Sequence, residues 1–503
     1  MKVRLASQAG LLALSRALGQ VLNALVGIVL VRTLSQLDYG TFRQIFLLVA
    51  TLVQTELGFV ESLYFYLPTM PKLRAVFIRQ TVFVLGSTQL LAGSLILIFR
   101  QEIARFFNNP GLASCLDLVA LYSGLTMMTR IWEAELVADK RISGAALLAA
   151  GFESLKVTLM VAALLLSPGI RPLLWALVGA AALKFAAFLS CLFREFRWFT
   201  GAGPMGQGLP QVSYAMALWI PAILNGAIGG QAHQYIVSHY FDPTQYGIYS
   251  VACFQVPFVA ILTNSIGEIL LVRATEYCSQ RRTPELYTLW MNVCRKTLPI
   301  YVAIASVLFV LARPIIVTIF TERYRASAPL FALMVLGLVP YSIFQDGLFR
   351  ACSAMKTYGM FYALRAVLSV GLGFAGLKLW GLWGVALSSV LTIAIVNLLQ
   401  LVPAAKILQV PFSKVLPWRD MAKMVVAAAL TASAIATLLR VSPSHSISLI
   451  AGFPLFGILY GGLVIKLGVI SSAEVLVVLR GIRSCFYGRS FTGSKSNLAT
   501  QSF

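Results

Sequence analysis

Fourteen predominantly apolar stretches alternate with short polar ones along the chain, at roughly 9–31, 42–67, 76–99, 113–138, 144–167, 172–193, 214–238, 246–272, 297–320, 326–349, 357–378, 383–405, 421–440 and 447–468. About 20 apolar residues in a helix cross the hydrocarbon layer of a bilayer. With no water there to bond the backbone, each segment must satisfy its own N–H and C=O groups, which helices do and isolated strands do not. The pattern therefore predicts an all-α polytopic membrane protein with about 14 transmembrane helices. The opening MKVRLASQAG runs straight into the first apolar stretch with no short apolar core or small-residue cleavage site. That predicts an uncleaved first span and a chain that starts at Met1.

The polar interruptions carry a repeat. Shifting the chain by 207 positions lays Val29, Leu30, Leu34, Tyr39, Gly40 and Phe42 over Ile236, Val237, Phe241, Tyr246, Gly247 and Tyr249. A second echo, at an offset of 213, pairs Ile103, Phe107, Ala113 and Ser114 with Ile316, Phe320, Ala326 and Ser327. A repeat of this size in so apolar a chain points to a transporter of two related bundles with a cavity between them. The expected organisation is an N-terminal six-helix lobe at 1–193, a Gly- and Pro-containing cytoplasmic linker at 194–213, and a C-terminal six-helix lobe at 214–410. An extra helix pair at 411–470 and a cytoplasmic tail at 471–503 follow; the tail is expected to be disordered beyond Gly488.

Composition agrees with the pattern: 59% of the 503 residues are hydrophobic and only 12% charged. The net charge of +22 would suit a nucleic-acid binder. The basic residues, however, sit in short loops between spans and not on one face, so no nucleic-acid partner is expected. Counting residues at span ends with the adjoining loop, 25 of the 40 Lys and Arg fall in the N-terminus, the even-numbered loops and the tail, 9 in the odd-numbered loops and 6 within spans. Basic loops stay cytoplasmic, so both termini are expected there. The densest such stretch is Arg273 to Lys296. The seven cysteines are scattered, without a C-x-x-C pair or a histidine at metal spacing, and indicate neither a disulfide framework nor a zinc site. No cofactor or metal is expected.

At RTLSQLDYGTF, followed by TELGFVESLY, the chain resembles the polysaccharide (O-antigen type) flippase family of the multidrug/oligosaccharidyl-lipid/polysaccharide exporter superfamily. QYGIYSVA, RPIIVTIFTERYRASAPL and LWGLWGVALSSV resemble further landmarks of that family in the same order, over residues 5 to 410. The resemblance implies a two-lobed bundle in the bacterial inner membrane. It would carry undecaprenyl-diphosphate-linked oligosaccharide from the cytoplasmic to the outer leaflet by alternating access. Partners would be the polyprenyl-diphosphate-linked glycan, membrane lipids, and a polysaccharide polymerase and glycosyltransferases, with the protein itself a monomer. LSRALG, at Leu14 to Gly19, is similar instead to the first span of the lipid II flippases, and lipid II is the alternative substrate.

An ionisable group in the hydrocarbon costs on the order of 3 kcal/mol, so it should face a partner or a wet cavity. Arg16, Arg43, Arg130, Lys156, Lys184 and Arg365 are the basic residues inside spans. Lining an electropositive cavity, they would hold a diphosphate, guanidinium groups bidentately. The competing reading is snorkelling to the headgroups, strongest for Arg43 and Arg365 near span ends. Arg16 is the leading candidate, since its span has no carboxylate. Among the acids, Glu153 and Lys156 stand i, i+3 and can neutralise each other on one helix face, and Arg130 and Glu133 repeat the spacing. Glu56 and Asp346 lack a basic neighbour one turn away and join Glu153 as candidates for coupling to an ion, against a structural helix-to-helix bond. Asn225, Gln231, His233 and Gln234 make the seventh span polar enough for a sugar-binding cavity wall, a packing role for the histidine being the alternative. Gly226, Gly229 and Gly230 in the same span allow close approach or bending, and Pro221 and Pro257 allow kinks.

Two other function classes compete with the flippase. A cation-coupled multidrug exporter prefers an acidic lobe, which Arg16 argues against. A membrane enzyme needs a large extramembrane loop or an acid cluster, and the outward loop near Arg313 to Arg325 has one carboxylate, Glu322.

Overall fold

The computed structural model describes residues 2–194, 209–441 and 445–469. Every regular element among them is helical, and each predicted apolar segment has a helical counterpart. The chain opens with α1 (Lys2–Thr33) and α2 (Gln36–Leu52), continuing through a 3-10 turn (Val53–Glu56) into α3 (Phe59–Thr69). Then come α4 (Arg74–Ile98), short α5 (Arg100–Phe106), α6 (Leu116–Ala138), α7 (Ile142–Leu166) and α8 (Ile170–Arg194). The seventh segment is α9 (Leu209–Ile223), a π-helical turn (Leu224–Gly230) and α10 (Ala232–Tyr240); the eighth is α11 (Pro243–Ala252) and α12 (Pro257–Ser279). Next are α13 (Thr283–Val310) and α14 (Ala312–Phe320). The tenth segment is broken into α15 (Ser327–Val335), α16 (Leu338–Tyr341) and α17 (Gln345–Ala351). The chain ends in α18 (Met355–Ile407), α19 (Trp418–Val441) and α20 (His445–Lys466).

Among the described residues, eleven helical stretches are long and apolar enough to cross a membrane, and Ala17–Thr33 adds a shorter apolar one. The difference from fourteen has physical reasons. Helix α6 carries Asp117, Arg130, Glu133 and Glu135, and α18 is two spans joined across non-helical backbone at Trp380 and Gly381. Gly381 sits at φ +56°, where a side chain is strained, and Trp380 and Trp383 beside it are 63% and 49% exposed. Exposed Leu90, Leu147 and Leu165 are contacts for lipid tails in a protein of this kind. The chain is a multi-pass membrane protein.

The sequence repeat becomes a pair of matching helix starts. Ser35 caps α2 by accepting from the Asp38 N–H at 3.0 Å, and Asp242, 207 positions on, caps α11 by accepting from the Gln245 N–H at 2.9 Å. Each cap satisfies an N–H that the first helical turn leaves without a partner. The two helices then pack against each other at Gly40 and Gly247. A Cβ on Gly40 would overlap the Pro243 carbonyl oxygen and lie 2.6 Å from its carbon; one on Gly247 would lie 3.1 Å from the Gln36 carbonyl oxygen and 3.3 Å from the Gly40 Cα. Pro243 and Gln36 are themselves related by 207 positions, so the contact is reciprocal. The second echo likewise falls in matching places: Ile103 and Ile316 lie in the short helices α5 and α14 that follow the long α4 and α13, and Phe107 and Phe320 stand at their ends.

The chain forms two compact units, Met1–Ile261 with Ile319–Tyr324 and Tyr362–Ser388, and Leu262–Thr318 with Arg325–Phe361 and Ser389–Phe503. In the first, Phe59, Leu63 and Leu67 of α3 pack with Phe77 and Leu85 of α4, Ile131 of α6, Phe188 of α8 and Ala215 of α9. Gly58, at φ +75°, lets α9 approach, since a Cβ there would overlap the Ala215 carbonyl oxygen. In the second, buried Trp290 of α13 donates to the Val415 carbonyl at 2.8 Å, and Tyr460 of α20 donates to the Pro299 carbonyl at 3.1 Å.

Two local expectations are corrected. Pro257 does not kink a continuous helix; it begins α12 after a non-helical stretch, as suits a residue with no N–H to give. Cys278 and Cys352, 74 residues apart, come together with Cα atoms at 5.4 Å and bonded sulfurs, so the scattered spacing concealed a disulfide pair.

Candidate functional site

Helix α6 is the electrostatic centre of the first unit. Arg130 reaches Glu56 at 2.5 Å in the 3-10 turn after α2 and Glu61 at 3.0 Å in α3. One turn on, Glu133 accepts from Lys184 of α8 at 2.5 Å, with that ammonium 5.9 Å from the centre of the Phe152 ring. Arg74 of α4 meets Glu135 at 2.6 Å and Asp139 in a second, short contact. Each link joins two helices, so a charge costly in hydrocarbon also sets which helix faces meet. The i, i+3 pairing expected between Arg130 and Glu133 does not form: each finds its partner on another element, Arg130 at Glu56 and Glu61 and Glu133 at Lys184.

Glu153 and Lys156 do pair within α7, at 2.6 Å, and Asn23 of α1 donates to the same carboxylate at 3.2 Å. Arg130, Lys156 and Lys184 are thus each held by a carboxylate. Glu56, without a basic neighbour on its own helix, has one across the interface in Arg130. Asp346 lies half-buried in α17 of the second unit. The backbone of Arg16 belongs to α1, while its side chain lies outside the described residues.

Arg43 and Arg365 are different. Among the described residues neither has a carboxylate within ion-pair distance, and the buried Nε of each has no hydrogen-bond partner. Arg43, in α2, has Tyr39, Tyr246 and Cys253 as its electrostatic neighbours. Arg365, in the first half of α18, donates through Nη1 to Asn225 Oδ1 at 2.8 Å. Its stem crosses the π-helical turn at Gly229, where a Cβ would lie 3.2 Å from the Arg365 Cγ. The wider π turn and the missing side chain together let an arginine run against this backbone.

The polar residues of the seventh segment gather around the same turn. His233 Nδ1 is 2.8 Å from the Tyr249 hydroxyl, and the Tyr246 hydroxyl donates to Gln234 Oε1 at 3.4 Å. Gln231 Oε1 is buried without a partner. Asn225 holds Arg365, so all four predicted wall residues lie along α9 to α10 in the first unit, three of them bonded to polar groups from neighbouring helices. Sequence reading missed Tyr246 and Tyr249, both fully buried. The repeat held a signal for Tyr249, since its counterpart Phe42 lacks the hydroxyl. A separate cavity of about 540 Å³ lies among α6, α7 and α8, lined by Trp132, Leu136, Arg141, Leu148 and Phe152. Arg43, Arg130, Lys156, Lys184 and Arg365 do not line it.

The fold has solved counterparts. The chain is similar to the lipid II flippase MurJ in an inward closed conformation, with a TM-score of 0.73, 15% identity, and coverage of 91% of this chain and 98% of that one. It is also similar to an inward-facing multidrug resistance MATE family transporter of the MOP superfamily, with a TM-score of 0.62, 14% identity, and coverage of 78% and 94%. A MATE transporter of Vibrio cholerae, in its bent form, gives 0.54, 13%, 81% and 98%. No curated protein sequence matches the chain. The model of the family described as polysaccharide biosynthesis protein matches residues 29–329, a stretch that begins at the first copy of the repeat and contains the second, and the chain belongs to that family.

Proposed function

We propose that this protein is a flippase that moves undecaprenyl-diphosphate-linked oligosaccharide from the cytoplasmic to the outer leaflet of the bacterial inner membrane. It works as a monomer, by alternating access of lobes at 1–193 and 214–410, with both termini cytoplasmic, and serves a polymerase and glycosyltransferases that use the same lipid carrier. The observation that carries the reading is the pair of intramembrane arginines, Arg43 and Arg365, that have no carboxylate partner among the described residues. A guanidinium within a span calls for a countercharge. A diphosphate supplies one, in a geometry that the guanidinium fork accepts bidentately. Asn225, bonded to Arg365, and Gln231 and Gln234 further along the same segment offer amide donors and acceptors to sugar hydroxyls, while the polyprenyl tail remains in lipid.

Coupling falls to Glu56 and Glu61. Two carboxylates share one guanidinium, and Glu61 Oε2 is buried without a hydrogen-bond partner. A proton shared between the two carboxylates would cancel the excess negative charge. The same cluster supports a second reading, a cation-coupled exporter.

The test is the fate of lipid-linked glycan in cells lacking the protein. Inner-leaflet accumulation, relieved by the wild type but not by Arg365→Ala, is expected; outer-leaflet accumulation would instead place the block at polymerisation, and an unchanged pool would favour drug export.

A further inference from the structure

The bonded cysteines play no part in that reading. Cys278 is the penultimate residue of α12 and Cys352 follows the last turn of α17, both in the second unit. The helices come together upstream of the pair, where a Cβ on Gly347 would lie 3.7 Å from Leu270 and one on Gly267 3.9 Å from the Phe344 ring. The resulting Cα separation of 5.4 Å is within the range that a disulfide spans without backbone movement. Both residues are half-buried, so a small reagent can reach them. Exposed Arg281 and Arg282 follow Cys278 by three and four residues, Arg282 paired with Glu285 at 2.8 Å, and exposed Arg350 precedes Cys352 by two.

The eighth and tenth loops, which hold these cysteines, are among those the basic residues assign to the cytoplasm. In that compartment thiols are kept reduced, and disulfides that do form are transient or regulatory. A pair positioned for bonding there has the properties of a reversible element and not of a permanent staple. We propose that Cys278 and Cys352 form a thiol–disulfide modification site that ties the ends of α12 and α17 together and slows transport when oxidised. The proposal rests on the cytoplasmic orientation adopted in the proposed function. The oxidant is a low-molecular-weight disulfide. One cysteine thiolate attacks it, forming a mixed disulfide and releasing one small thiol. The second cysteine attacks the protein sulfur of that mixed disulfide and releases the other. Two cysteines are oxidised, one small disulfide is reduced to two thiols, and the two cysteine protons end on the released thiols. Helix α12 carries the chain from the first unit into the second, which it enters at Leu262, so the bond fixes the far end of a helix that both units share.

The experiment is differential alkylation of the full-length protein in cells, followed by peptide mass spectrometry and an export assay. Both cysteines should react as thiols in untreated cells. They should become protected together after glutathione disulfide treatment of permeabilised cells, as a linked peptide, and become reactive again after dithiothreitol. Export should fall on oxidation of the wild type and be unchanged by it in Cys278→Ser. Persistent alkylation of both cysteines after oxidation would overturn the proposal, as would a bond already present in untreated cells, or equal loss of export in wild type and Cys278→Ser. Labelling of Cys278 in untreated intact spheroplasts by a membrane-impermeant maleimide reports separately on orientation: labelling from outside would overturn the cytoplasmic assignment itself.

Discussion

Replacing Gly40 with alanine tests the reciprocal contact between the two copies of the repeat. In a helix otherwise free of neighbours, Gly→Ala stabilises by roughly 0.5–1 kcal/mol through reduced backbone freedom. Gly86 of α4 is such a site, with nothing within 4 Å of an added Cβ. At Gly40 the methyl group would overlap the Pro243 carbonyl, 2.6 Å from its carbon, and both sides of the contact are backbone. Restoring an ordinary carbon–carbon distance of about 3.5 Å and clearing the nearer carbonyl oxygen would push α2 and α11 apart by more than about 1 Å. Buried Tyr39, Tyr246 and Tyr249 would then lose close packing. Overpacking of this kind costs typically 1–3 kcal/mol, and the upper end, about 3 kcal/mol, is expected because no side chain can rotate away. At Gly247 the approach of 3.1 Å to the Gln36 carbonyl oxygen asks for only a few tenths of an ångström, and a loss of about 1 kcal/mol follows. The assay is thermal unfolding of the purified protein in detergent, read by tryptophan fluorescence and by the monodisperse fraction on size exclusion. The expected order of melting temperature is Gly86→Ala above wild type, then Gly247→Ala, then Gly40→Ala. A Gly40→Ala protein that melts at or above the wild type would refute the crossing and the reasoning with it.

Three further outcomes are expected. Arg130→Ala leaves Glu56 and Glu61 without their cation and should cost about 3–5 kcal/mol, while adding Glu56→Gln and Glu61→Gln in the same chain should recover much of it, as measured by yield and melting temperature. Arg365→Ala should abolish export at normal expression, with Arg365→Lys retaining part of it because an ammonium keeps the charge and loses the fork; equal activity of the alanine variant in a complementation assay would remove Arg365 from the site. For Arg16 the same pair of substitutions is expected to separate function from snorkelling, since alanine should abolish export and lysine partly preserve it in the same assay.

The sequence by itself determined the helical class, the span pattern, the repeat and the short-range features. Ser35 and Asp242 cap helices that begin where the repeat says they should, and Glu153 pairs with Lys156 at the spacing that places them on one helix face. These were legible because hydropathy, capping and i, i+3 contacts depend on residues close in the chain, whatever surrounds them. Tertiary structure decided the rest. Which cations are neutralised depends on the rotation of one helix against another, and no spacing rule shows that Arg130 reaches Glu56 and Glu61 while Glu133 turns to Lys184. The same rotation leaves Arg43 and Arg365, both near predicted span ends, without a carboxylate in ion-pair reach among the described residues. It also brings Cys278 to Cys352 across 74 residues, an association that only the packing of α12 on α17 creates.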